Sequence, residues 1–72
     1  MGTYSIFLRD FADGDASQPH LLAYDIAGLR EAQALVSGIA RSYSEHGRRP
    51  GTGVHWFRHD GSVREIYAWP DQ

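Results

Sequence analysis

The sequence contains no cysteine, which excludes a disulfide framework and any thiolate-held metal. It contains no lysine either, so all seven cationic side chains are arginines. Positive charge is in deficit: nine carboxylates face those seven guanidiniums, leaving a formal net charge of −2. That balance removes the bulk attraction toward nucleic acid or an anionic membrane surface. No apolar run is long enough to span a bilayer. The start of the chain lacks the basic-then-apolar layout of a secretion leader, and Ile6 stands where an N-myristoylation motif needs serine or threonine. There is no repeat at solenoid spacing and no low-complexity tract. These absences together point to a cytoplasmic protein without a membrane segment.

What is present suits one small domain over residues 1–72, 42% apolar and 12% aromatic. A chain this short buries only roughly 60% of the surface it exposes when unfolded. Its core is thin, and association with a second copy is a common way to offset that.

The clearest periodic stretch is GLREAQALVSGIARSYSEH, Gly28 to His46. Leu29, Ala32, Val36, Ile39, Ala40 and Tyr43 fall on one face at helical spacing, with Leu35 at its edge. Arg30, Gln33, Ser37, Arg41, Ser44 and Glu45 fall on the other. Gly28 serves as N-cap, with Asp25 as an alternative one turn earlier, and Glu31 lies at N3 near the positive end of the dipole. Gly47 suits the left-handed position after the helix, and Pro50 forbids continuation. Small residues at Ala34, Ser37 and Gly38 mark the outer side. They read more simply as tolerated weakness than as a helix-docking groove.

Strands supply the surface this stripe needs. In TYSIFLRDF, Tyr4, Ile6 and Leu8 alternate with Thr3, Ser5, Phe7 and Arg9, leaving Phe7 on the polar side. ADGDASQP is a polar connection, and HLLAYDI follows as a second strand with Leu22, Tyr24 and Ile26 on one face. After the turn-rich RRPGTG, the stretches VHWFRH and SVREIYAW flank Asp60-Gly61, a strong hairpin signal. A three-residue loop, His59-Asp60-Gly61, places Val54, Trp56, Ile66 and Ala68 on one face. His55, Phe57, Val63, Glu65, Tyr67 and Trp69 then share the other. A two-residue loop instead groups Trp56 with Val63, Glu65 and Tyr67. The three-residue form is the expectation, because it segregates apolar residues better. The predicted fold is α+β in two layers: a four-stranded, mainly antiparallel sheet with one helix on one face, in the order β-β-α-β-β.

The stretches YSIFLRD, AGLREAQA and HDGSVREIY in this layout resemble small uncharacterised bacterial β-β-α-β-β domains. That resemblance implies the fold and no activity. Element order alone is also similar to antitoxin-type and double-stranded-RNA-binding α/β domains. Their extra elements and basic loops are missing, so no function follows from them.

Candidate chemistry is sparse. Asp10, Asp13 and Asp15 crowd one loop, but not at EF-hand spacing, and a solvated turn accounts for them. His55 and His59 on one strand stand roughly 13 Å apart, too far for one ion. His20 and His46 are remote in sequence. Arg48-Arg49 with Gly51-Thr52-Gly53 follows a helix rather than preceding one. These arginines fit the negative end of a dipole better than a phosphate. No nucleophile is paired with a base in sequence motif terms. The expectation is no enzyme, no catalytic residue, no metal and no cofactor.

One helix shelters one side of a sheet, so aromatics on the other side form an open surface. The residues assigned to it are Phe7, His55, Phe57, Tyr67 and Trp69. The expected function is a non-catalytic interaction module that forms a homodimer or binds another protein. The alternative is a single-stranded nucleic-acid binder, with the rings stacking bases and Arg9, Arg58 and Arg64 holding phosphates. Net charge disfavours that alternative. A small-molecule module using the same face is a lesser third.

Overall fold

The computed structural model describes residues 2–11 and 19–71. Most of the expected polar connection, including Asp13 and Asp15, lies outside the described residues. The elements are β1 (Thr3–Asp10), β2 (His20–Ala27), α1 (Leu29–Arg41), β3 (Glu45–Arg48), β4 (His55–His59) and β5 (Ser62–Pro70). They form an α+β fold with a five-stranded antiparallel sheet in the order β2-β1-β5-β4-β3. α1 carries the chain from one edge strand to the other. Its 13 residues give roughly 20 Å of helix, close to the roughly 19 Å between the outer strands of a five-stranded sheet.

The fifth strand corrects the expected four. The helical stripe breaks at Ser42 rather than running to His46. Ser42 N–H donates to the Ile39 carbonyl at 3.2 Å and its hydroxyl to the same oxygen at 2.6 Å, closing the last turn. Tyr43 keeps its place in the apolar stripe after the chain has left the helix, stacking on Phe57 with centroids 4.1 Å apart and planes at 12°. The freed residues Glu45–Arg48 then pair with β4. Gly47 is not the helix terminator. It lies in β3 under Trp56, where an added Cβ would stand 2.8 Å from the indole Nε1. Gly28 is the N-cap, with φ 88°, and Glu31 lies in the first turn as expected.

β2 also departs from simple alternation. Its pairing with β1 shifts between Ile6 and Phe7 and again between Tyr4 and Ile6. The second shift encloses Asp25, which is not a cap but a strand residue at φ 61°. Ala23 and Ile26 therefore pack on the core, while Leu22 and Tyr24 are exposed.

The core lies between α1 and the sheet. Ile6, Val36, Ala40, Phe57 and Ile66 are fully buried, with Leu8, Ala23, Ile26, Ile39, Tyr43 and Ala68 packed around them. Ala32 is buried on the same helix face, while Leu29 and Leu35 at its margins stay exposed. The small alanines let the helix lie close to the strands, and the large residues come from the sheet.

Candidate functional site

The β4–β5 hairpin decides what lies on the uncovered side. Asp60 and Gly61 both have positive φ, 52° and 77°, and His59 pairs directly with Ser62. This is the two-residue turn that an Asp-Gly pair favours. It overturns the expected three-residue loop and moves β4 by one residue relative to β5. His55 and Phe57 therefore face the helix, opposite Ile66 and Arg64, and leave the candidate surface. Phe57 is only 2% exposed. Trp56 takes the open side instead, opposite Glu65.

The remaining candidates assemble. Phe7 pairs with Tyr67 across β1 and β5, their rings 5.9 Å apart at 26°. Tyr67 meets Trp69 edge-on at 6.5 Å and 84°. Leu21 on β2 extends the Phe7–Tyr67 row to the edge. Phe7, Arg9, Pro19, Val54, Glu65, Tyr67 and Trp69 line a shallow trough of about 490 Å³. Trp69 is 60% exposed and Leu21 54%. Trp56, Val54 and Leu21 were not among the residues assigned from sequence. The Asp60-Gly61 signal pointed to Trp56 once its turn type is given priority.

The three arginines of the nucleic-acid alternative do not form one track. Arg58 is on the open side, held by Glu45 of β3 at 3.3 Å. Arg64 faces the other way, 3.4 Å from Asp10, an ion pair that falls short of hydrogen-bond geometry. Arg9 alone enters the trough, and its Nε is buried without a hydrogen-bond partner. Arg49 does not serve the helix end but donates to Glu65 at 2.9 Å.

His46 and His59 both lie against Tyr43. His46 Nδ1 lies 2.8 Å from the Tyr43 carbonyl, and His59 stands edge-on to the Tyr43 ring. Burial, then the Arg48 and Arg41 charges, holds the His55 imidazole below its ordinary pKa. No group of three or more His, Cys, Asp or Glu able to hold a metal occurs among the described residues. No described helix is long and apolar enough to cross a membrane.

What the geometry offers, among the described residues, is a ring-lined, largely apolar strip across β2, β1 and β5, into which Arg9 projects. Comparisons with protein-family models, curated proteins and solved structures find no match to this chain.

Proposed function

We propose that this protein is a non-catalytic interaction module whose partner is a second copy of itself, joined through the uncovered side of the sheet. The observation that carries this reading is the exposed Trp69 beside Phe7 and Tyr67, in a trough that α1 does not cover. Aromatic rings in contiguous exposed patches mark association surfaces. Size is adequate. Five strands about 4.8 Å apart and about 23 Å long give roughly 550 Å² in projection. Ring corrugation raises the accessible area toward the roughly 800 Å² per partner of a standard interface. Charge supports the same choice: among the described residues of the open side, Arg49 and Arg58 are already paired with carboxylates, which leaves a phosphate backbone only Arg9.

Sedimentation velocity across a dilution series tests this. The wild-type chain sediments as a dimer at high micromolar concentration and dissociates on dilution. Trp69→Ser, which removes an exposed ring without touching the core, shifts that equilibrium to monomer. A wild-type chain that stays monomeric at high micromolar concentration contradicts the proposal.

A further inference from the structure

Among the described residues, the open side carries two uncompensated charges at opposite ends. Arg9 projects from β1 into the trough. Among the described residues no carboxylate pairs with it, and its Nε is buried without an acceptor. Its cross-strand neighbour Glu65 is already engaged by Arg49 at 2.9 Å. At the far end, Asp71 accepts hydrogen bonds from Thr3 Oγ1 at 2.8 Å and Ser5 Oγ at 2.6 Å. Thr3 and Ser5 share strand parity with Phe7 and Arg9, so that carboxylate lies on the open side. The Ser5 and Thr3 hydroxyls hold it below the usual carboxylate range. It is therefore ionised at neutral pH. Among the described residues no cation pairs with it.

The strand register relates these charges by symmetry. Phe7 stands midway between Ser5 and Arg9 on β1, and its partner Tyr67 midway between Glu65 and Trp69 on β5. A half-turn about the Phe7–Tyr67 line exchanges the two ends. We propose that two copies pack face to face about a two-fold axis crossing the strands at Phe7 and Tyr67, setting Arg9 of each copy against the partner's Asp71. The proposal rests on the self-association reading above and adds the geometry of the pair. Sheets packed this way are roughly aligned and about 10 Å apart, with room for interdigitated rings. The contact is isologous, so each ion pair occurs twice. An axis parallel to the strands instead sets Arg9 over the partner's Glu65, an anion already neutralised, and leaves both Arg9 and Asp71 unmatched.

A charge swap tests the axis. Dimer dissociation constants are measured by sedimentation equilibrium for wild type, Arg9→Glu, Asp71→Arg, the double variant and Asp71→Asn. Each single reversal weakens the dimer at least about tenfold. The double variant returns to within about threefold of wild type, because the pair is restored with its signs exchanged. Asp71→Asn keeps an acceptor for the two hydroxyls and still weakens the dimer. A wild-type dimer whose double variant is weaker than either single, or whose Asp71→Asn variant is unchanged, overturns this axis while the open side remains the interface. A monomeric wild type overturns both.

Discussion

Phe57→Ala separates the two hairpin registers, and with them the membership of the open surface. The Phe57 ring is 2% exposed and stacked on Tyr43 at 4.1 Å. Truncating a buried phenylalanine costs about 3–5 kcal/mol, cavity included. A domain of this size is stable by about 4–11 kcal/mol in total. The variant is therefore close to unfolding at 25 °C. With a urea dependence of about 1 kcal/mol/M, its midpoint falls by about 3 M or more. Trp56→Ala removes a larger ring from the next position on the same strand, but that ring is on the open side. Its cost is lower, below about 3 kcal/mol, because the ring is only half-buried and its loss opens no enclosed cavity beneath α1. Far-UV circular dichroism in urea, at fixed chain concentration, reports both without relying on the tryptophans. If Trp56→Ala proves the more damaging of the two, Phe57 is not the core residue of β4 and the assignment of the open side fails with it.

Two further outcomes follow from the packing and the charges. Gly47→Ala destabilises by about 1 kcal/mol, since the strain of a methyl 2.8 Å from the Trp56 Nε1 exceeds the usual gain of alanine over glycine in a strand. That cost disappears in a Trp56→Ser background, which a double-mutant cycle in urea measures. His55 titrates below its ordinary value when folded, so between that folded value and about 6.5 the unfolded chain binds more protons. Its contribution to stability is full above about 6.5 and is lost as pH falls through the folded value. His55→Gln removes that portion of the pH slope, and urea midpoints from pH 7.5 to 4.5 for the two proteins show the difference.

Much of the frame was legible in the residues. The alternation of Tyr4, Ile6 and Leu8 against Phe7 and Arg9 placed β1 correctly, because Ile6 and Leu8 pack into the core while Phe7 and Arg9 line the trough on the opposite side. Gly28 and Glu31 marked the helix start through backbone freedom and dipole. The helix end was hidden: Tyr43 continues the periodic stripe although the chain has already turned at Ser42. The fifth strand was hidden too. Glu-His-Gly-Arg has no strand propensity, and its pairing depends on the Trp56 ring over Gly47 and on Glu45 meeting Arg58. Apolar segregation misassigned the hairpin because Trp56 and Phe57 are both large rings. Only the turn type distinguishes which one goes inside. The two irregularities in β2 likewise leave no alternation to read. On the open side, Phe7, Tyr67 and Trp69 were found from sequence, His55 and Phe57 were misplaced, and Trp56 was missed for the same one-residue reason.

The most direct test of the proposed association surface is an isotope-filtered nuclear Overhauser experiment on a mixture of labelled and unlabelled chains at millimolar concentration. The account predicts intermolecular cross-peaks from the Phe7 and Tyr67 ring protons of one copy to the same rings of the other. Intermolecular cross-peaks confined to the edge strands or to α1, or none at all, contradict it.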